Sequence, residues 1–320
     1  MSVIQKIKNT AVMKPVKKVY KKLNGTEKFA KPLYFLDNSK EYDTACFILA
    51  GYKSFTWDIV FKRIKKFCPD NIDVCIVSSG LYNEKLKSIA ESNGWSYIAL
   101  KRNCVTQALN TAISKFSHAE SIFKIDEDIF ITEGFFDTLP KALTEAKKDY
   151  FPCFAGPLIP INGFGYRKIL DSFSLTDKYA QMFEYPIVSA GSHMKIENDL
   201  KVARFFWGEG GYVPQIDMLN RKIKETSIHK NGGGYLLCPI RFSIGAIFFE
   251  RRLLEEAGYF PVHKGSCMGL DEEFLCNRAT SFSKAIIVSD SQVVGHLSFG
   301  TQNKGMEEYF KSHTETFEIQ

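Results

Sequence analysis

The chain contains no apolar run approaching the roughly 20 residues that a bilayer-crossing helix needs, so a membrane-spanning segment is not expected. It also lacks any CxxC pair. Its cysteines stand singly at 46, 68, 75, 104, 153, 238, 267 and 276, which argues against a structural zinc site. No secretory signal precedes them, so reduced thiols in a cytoplasmic compartment are the expectation. No internal repeat and no low-complexity segment interrupts the sequence. Acidic residues are nearly missing from the first 31 positions, where Glu27 stands alone against Lys6, Lys8, Lys14, Lys17, Lys18, Lys21, Lys22, Lys28 and Lys31.

What is present is ordinary for a globular protein. The 320 residues allow one large domain or two modest ones, and a hydrophobic content of 45% with 24% charged residues provides a sizeable core. The net charge of +6 is concentrated in the lysine-rich lead, and the remainder is close to neutral. Val3, Ile4, Ile7, Val12, Val16 and Tyr20 recur among the lysines at roughly helical spacing, which suits a helix lying on an anionic membrane surface. A solvated basic lead is the competing reading, because Pro15 would interrupt such a helix. No nucleic-acid motif accompanies the lysines, so nucleic acid is not an expected partner. The chain thus divides into a basic arm at 1–40 and a main domain at 41–320.

Lys31 to Asp43 has the composition of a linker. From there strand and helix alternate. Buried strands are expected at 44–50, 72–77, 95–100 and 121–126, and helices at 56–67, 83–93 and 105–116, with short connections rich in Gly, Ser and Asn. This alternation predicts an α/β fold, a Rossmann-like and mostly parallel central sheet covered by helices. A further helix at 134–146 and a strand at 151–157 lead into an irregular stretch at 158–235. Its glycines and aromatics suggest loops that shape a binding face, with short helices at 177–185 and 215–224. Later strands are expected at 235–238, 243–249 and 284–289, and helices at 250–257 and from 269 onward. The polar tail from Gly300 is expected to pack loosely.

The chain is organised around Ser121-Ile122-Phe123-Lys124-Ile125-Asp126-Glu127-Asp128-Ile129-Phe130-Ile131. An apolar run carries two aspartates to the point where a buried strand should end. Unpaired buried carboxylates are costly, and ligands of open α/β sheets bind at the carboxyl ends of strands. Two hard oxygen donors there suit Mg²⁺ or Mn²⁺ shared with a phosphate. An acidic turn between two core segments is the plainer alternative. Glu127, between the two aspartates, would face away from both on a continuing strand.

Two later features stand in sequence order with this pair. Asp271-Glu272-Glu273-Phe274-Leu275-Cys276-Asn277-Arg278 opens a helix with carboxylates in its first turn, where the helix dipole stabilises them. His296 follows an apolar strand. This order resembles the nucleotide-sugar-dependent glycosyltransferases of the GT-A fold, most of all the family 2 type. Lys124-Ile125-Asp126-Glu127-Asp128 is similar to that family's "DxD" metal motif. Asp271-Glu272 with Leu275 and Arg278 resembles its later "ED…R" helix, and the run from Gly245 to Phe260 resembles the segment before it. The likeness spans about 44 to 300, with the middle loops unmatched.

The resemblance implies a GT-A-like domain whose nucleotide-binding half is 41–150 and whose acceptor and catalytic half is 151–300. It implies a metal site of Asp126, Asp128 and His296 for Mn²⁺ or Mg²⁺, and a donor site drawing on Ala50, Gly51, Tyr52, Ser79, Asn110, Lys124 and Asp126. Glu272 is the implied catalytic base, with Asp271 second. The implied function is metal-dependent transfer of a sugar from a nucleotide-sugar donor to a glycan or glycolipid acceptor, in bacterial-type surface polysaccharide synthesis. The protein would then be cytoplasmic, peripheral at the inner face of an anionic membrane through residues 1–31. The sequence departs from the family at three places. Ser78-Ser79-Gly80 stands where acidic residues usually meet the base, Leu109 replaces an Arg, and Asp271-Glu272 reverses the usual Glu-Asp.

The chemistry is coherent without the family. A departing diphosphate needs a Lewis acid, an oxocarbenium-like sugar forms, and a carboxylate takes the acceptor's proton. Lys101 and Arg102 would add charge near the phosphates or form a solvated edge. A sugar nucleotidyltransferase is the enzymatic alternative, but the first strand is followed by Ala50-Gly51-Tyr52-Lys53-Ser54-Phe55, with one glycine where that class needs several. Haloacid-type phosphatases need a Thr where Phe130 stands. A non-catalytic carbohydrate-binding protein is the alternative of another class, and it would have no need of the paired aspartates.

Overall fold

The computed structural model describes residues 26–160, 163–183, 198–227, 229 and 232–320. The expected basic arm falls, up to residue 25, outside the described residues. Among the described residues no helix is long and apolar enough to cross a membrane.

The first half alternates as its sequence predicts: β2 (Thr44–Leu49), α1 (Trp57–Phe67), β3 (Asp73–Ser79), α2 (Glu84–Asn93), β4 (Ser96–Leu100), α3 (Val105–Lys115) and β5 (Ser121–Asp126). The strands are near-continuous apolar runs because both of their faces are covered. Local chemistry sets the helix ends. The Asn83 side chain accepts from Leu86 N at the start of α2, and Gly94 closes that helix in the left-handed conformation, φ 68°.

The second half contributes β6 (Ile129–Phe130), α4 (Phe135–Ala146), β7 (Pro152–Leu158), β8 (Tyr235–Cys238), β9 (Ala246–Glu250), α9 (Arg251–Ala257), α10 (Leu270–Ser281), β10 (Ala285–Val293) and β11 (Gly295–His296). With β1 (Tyr34–Leu36) the strands form a nine-stranded sheet of order β1-β4-β3-β2-β5-β9-β7-β10-β8, beside a small antiparallel β11-β6 pair. Strands β2, β3, β4, β5, β7 and β10 point one way, and β1, β8 and β9 the other, so the sheet is mostly parallel. After β2 the chain moves to β3 on one side, while β5 takes the place on the other. Right-handed crossovers put the connecting helices of the two directions on opposite faces. In such sheets ligands bind in the crevice beyond the strands' carboxyl ends at the topological switch point, which here lies at the ends of β2 and β5.

Four expectations are corrected. The supposed linker at 31–43 contains β1, which pairs antiparallel with β4 from Tyr34↔Ala99 to Leu36↔Tyr97. Its three residues are too short a run to show a period. The stretch at 158–235 holds four helices among its described residues: α5 (Gly163–Ser172), α6 (Thr176–Phe183), α7 (Leu200–Phe206) and α8 (Ile216–Thr226). The tail does not pack loosely. It forms α11 (Asn303–Ser312), and Met306, Tyr309, Phe310 and Phe317 are buried. The guanidinium of fully buried Arg63 binds Asp217 in bidentate fashion at 2.8 and 2.9 Å and also donates to Phe317 O and Glu318 O, which ties the tail to α1 and α8. Finally, the thiols are not all reduced, because Cys104 and Cys267 form a disulfide with their Cα atoms 5.0 Å apart.

Candidate active site

The crevice is built around Glu127. Its backbone N–H donates to Leu49 O at 2.9 Å, so the turn after β5 continues alongside β2. Its carboxylate points back to the loop after β2, where it accepts from Gly51 N at 2.8 Å, Tyr52 N at 2.9 Å and the indole Nε1 of Trp57 at 2.6 Å. The Thr56 hydroxyl donates to Glu127 O at 2.6 Å. A buried carboxylate ringed by donors is satisfied without a cation. Glu127 lies in a turn and not on a continuing strand, and its carboxylate shapes the loop after β2.

Asp128 enters the crevice from the other side of this turn. Its backbone carbonyl accepts from Leu297 N at 3.1 Å, next to the β6-β11 pairing that sets His296 opposite Ile129. The Asp128 Oδ2 atom lies 3.6 Å from His296 Nε2 and 2.5 Å from Lys53 Nζ. Close approach of backbones makes this possible. A β-carbon on Gly245 would stand 2.8 Å from Ile129 Cδ1, and one on Gly295 would stand 2.2 Å from the Trp207 ring. Trp207 donates to His296 O at 3.2 Å and packs on Phe130 and Phe317. The C-terminal segment therefore braces the strand pair that carries the site.

Asp126 is held differently. Lys124 lies on the same face two residues earlier and is buried. Its ammonium is 2.7 Å from Asp126 Oδ1 and 3.7 Å from Asp271 Oδ2, and it donates to Ile244 O at 2.9 Å. One cation thus joins β5, the loop before β9 and the first turn of α10. Glu272, the next residue of that turn, pairs with Arg241 at 2.5 Å. Asp271 is buried, whereas Glu272 keeps 22% of its side chain exposed.

The expected site residues largely gather here. Ala50, Gly51 and Tyr52 form the β2 loop, and the Tyr52 hydroxyl donates to Ser79 O at 2.6 Å. The Ser79 hydroxyl accepts from Cys104 N at 2.6 Å. Lys124 makes its polar contacts with protein groups and faces Asp126 and Asp271. Asn110 does not join the cluster. It is fully buried, its amide nitrogen donates to Lys28 O and Phe260 O, and its oxygen accepts from Phe260 N, so it fastens the chain entry to the segment after α9. Arg102 donates to His263 O and Gly265 O, away from the aspartates, and Lys101 is exposed. Sequence reasoning missed Lys53, Arg241 and the anchoring role of Glu127. Lys53 carried a faint signal, as a cation in the first loop after the first core strand.

Burial and charge set the protonation of the group. Burial pushes the Asp126 carboxyl up to about 7 against the opposing pull of Lys124. Burial pushes His296 down to about 4, leaving a neutral imidazole near neutral pH. Burial alone would raise Asp128, but His296 and the Lys53 ammonium outweigh it and hold its carboxyl below the usual range. We attribute that direction to Lys53, the charge in contact. Among the described residues no three His, Cys, Asp and Glu side chains close into a cage for an ion, and Asp126, expected in the metal set, is turned to Lys124. Asp128 and His296 still face each other as a carboxylate and a neutral imidazole, and the buried His296 Nδ1 has no hydrogen-bond partner. This donor pair fits an ion completed by phosphate oxygens, as Mg²⁺ or Mn²⁺ is at many diphosphates, better than one enclosed by protein alone.

No family model matches the chain, and no curated protein sequence matches it. Among solved structures the chain is similar to GalNAc-T7 with UDP, GalNAc and Mn²⁺, at a TM-score of 0.45 and 15% identity over 81% of this chain and 44% of that one. It is also similar to the mannosyltransferase PcManGT from Pyrobaculum calidifontis in complex with GDP-Man and Mn²⁺, at a TM-score of 0.44 and 14% identity over 88% of this chain and 64% of that one. The chain thus spans less than two thirds of the length of either structure.

Proposed function

We propose that the chain is a glycosyltransferase of the GT-A-like kind, moving a sugar from a nucleotide-sugar donor to a hydroxyl of a glycan or glycolipid. The observation that carries this reading is the pair of charged clusters on the one Asp126–Asp128 turn: Lys124 joins Asp126 to Asp271 in the first turn of α10, while Asp128 meets Lys53 and His296. A crevice at strand ends is where an α/β sheet holds a nucleotide. Cations and an ion-binding pair at its floor suit a diphosphate, and a carboxylate with an exposed edge suits proton removal from an acceptor.

In this reading Asp128 and His296 hold Mn²⁺ or Mg²⁺ together with the donor diphosphate. Such an ion supplies Lewis acidity to the departing phosphate. The β2 loop presents the Tyr52 ring, 59% exposed, as a face for the nucleotide. Glu272 takes the acceptor's proton as general base, and Lys124 fixes Asp126 and Asp271 relative to each other. The stretch between β7 and β8 receives the acceptor. Surface polysaccharide synthesis at the inner face of a membrane is the finer reading. The lysine-rich residues 1–31 support it, and the Cys104–Cys267 bond counts against a reducing compartment.

The test is a panel of UDP-, GDP- and CMP-sugars incubated with the protein, with and without Mn²⁺, and scored for hydrolysis. Turnover of one nucleotide class with Mn²⁺ is the expected result, and it would also exclude a non-catalytic carbohydrate-binding protein. No turnover and no binding of any nucleotide sugar would refute the reading.

A further inference from the structure

Three cations serve four of the carboxylates of the site. Lys124 serves Asp126 and Asp271, Arg241 serves Glu272, and Lys53 serves Asp128. The first pairing is buried in the sheet and the second lies on the acceptor side. The third is different, because Asp128 is also the carboxylate that faces His296. An ammonium 2.5 Å from Asp128 Oδ2 occupies the oxygen that an ion would take. An ammonium and a divalent cation on that oxygen repel each other strongly in a partly buried site, so the two compete for it.

Lys53 is delivered to this position by the fold. Gly51 N and Tyr52 N are fixed on Glu127, so the next residue of the loop projects across the crevice. On the far side Lys53 Nζ also donates to Asn303 Oδ1 at 3.2 Å, and that oxygen accepts from the Ser298 hydroxyl at 2.7 Å. Asn303 opens α11, and Ser298 lies two residues past His296. The ammonium is therefore suspended between the β2 loop and the C-terminal segment, 26% of its side chain exposed, on the open side of Asp128.

We propose that Lys53 is an internal competitor for the metal position and a phosphate-binding residue of the donor site. Without a diphosphate, Lys53 neutralises Asp128 and keeps the ion's affinity low. When a diphosphate enters, its oxygens offer the ammonium a new partner, Asp128 is released, and the ion binds with the nucleotide instead of ahead of it. No bond is made or broken in this exchange; only ion pairs change partners. The inference rests on the reading of Asp128 and His296 as an ion-binding pair.

The experiment titrates the full chain with Mn²⁺ alone, followed by the electron paramagnetic resonance of the free ion, and repeats the titration with inorganic pyrophosphate present. The native protein should bind Mn²⁺ weakly alone and more tightly with pyrophosphate. Lys53→Met should bind Mn²⁺ alone roughly ten-fold more tightly than native, and should lose most of the gain that pyrophosphate brings. Lys53→Gln, which keeps a polar end without charge, should behave as Lys53→Met does, and thermal unfolding should show both variants folded. Mn²⁺ affinity that is unchanged or weaker in both folded variants overturns the proposal, as does an undiminished pyrophosphate effect. Absence of Mn²⁺ binding in every protein also overturns it. Nucleotide-sugar hydrolysis by the native chain is scored separately, so failure of the role given to Lys53 is distinguishable from failure of the glycosyltransferase reading.

Discussion

The indole of Trp57 donates to the carboxylate of Glu127 across 2.6 Å, and both residues are buried. This contact joins the first residue of α1 to the middle of the Asp126–Asp128 turn. The loop after β2 therefore has its shape set by the same turn that carries the aspartates, and neither can move without the other.

Replacing Glu127 by Gln should show this coupling. One acceptor oxygen becomes an amide that meets the Gly51, Tyr52 or Trp57 N–H as a donor facing a donor. Leaving such groups unmatched in a buried site costs about 1–3 kcal/mol. Urea unfolding should show that loss, and pyrophosphate binding should weaken with it because the loop is released. An unchanged unfolding midpoint would mean that the loop holds its shape by other contacts.

Much of this arrangement was legible in the sequence, and the reasons differ by element. The core strands at 44–49, 73–79, 96–100 and 121–126 announced themselves because burial on both faces leaves mostly apolar runs, with Lys124 the one charge inside the run that leads to Asp126. The placement of Asp126 and Asp128 followed from the cost of burying them elsewhere. β1 was hidden by its length. The tail was misread because Met306, Tyr309 and Phe310 are a few apolar residues among many polar ones, and their partners, Phe130, Phe55 and Arg63's neighbourhood, lie far away in sequence. Lys124 stands beside Asp126 in sequence and was a candidate, but the partners of Asp128 and Glu272 were hidden by distance: Lys53–Asp128 spans 75 residues and Arg241–Glu272 spans 31. No local pattern records a pairing of that kind.

Arg63 and Asp217 form the pair that fastens the tail. Arg63→Met should leave Asp217 buried without its cation and free Phe317 O and Glu318 O. Removing one partner of a buried ion pair costs about 3–5 kcal/mol. The double variant Arg63→Met, Asp217→Leu should recover part of that loss, since no lone charge remains. Limited proteolysis should cut the single variant near its C-terminus sooner than the native chain. Equal resistance and equal unfolding midpoints would show that Phe317 is held by packing alone.

The Cys104–Cys267 bond closes a loop of 163 residues and pins the segment before α10 to the start of α3. Under denaturing conditions, the unreduced protein should titrate as six thiols, since Cys46, Cys68, Cys75, Cys153, Cys238 and Cys276 are free. Cys104→Ser and Cys267→Ser should each lose about 2–4 kcal/mol of stability, and dithiothreitol should lower the unfolding temperature of the native chain but of neither variant. Eight titratable thiols in the unreduced protein would remove the bond.

Asp271 and Glu272 are adjacent in the first turn of α10, yet their surroundings separate their roles. Asp271 is buried and faces Lys124, so an acceptor hydroxyl reaching it would have to displace a cation that also holds Asp126 and Ile244 O. Glu272 faces Arg241, whose side chain is 62% exposed and can move aside without disturbing the sheet. A general base must contact the proton it removes, and Glu272 alone of the two has an open side. On the proposed function, with Glu272 as the base, Glu272→Gln should therefore lower kcat for sugar transfer by about 10²–10⁴-fold, the usual worth of a general base, with the donor's KM little changed. Asp271→Asn should act through Lys124: it should lower stability and raise the donor's KM, with a smaller loss in kcat. If Asp271→Asn gives the larger loss in kcat while folding normally, the proton is taken by Asp271, and the exposure of Glu272 serves acceptor binding instead.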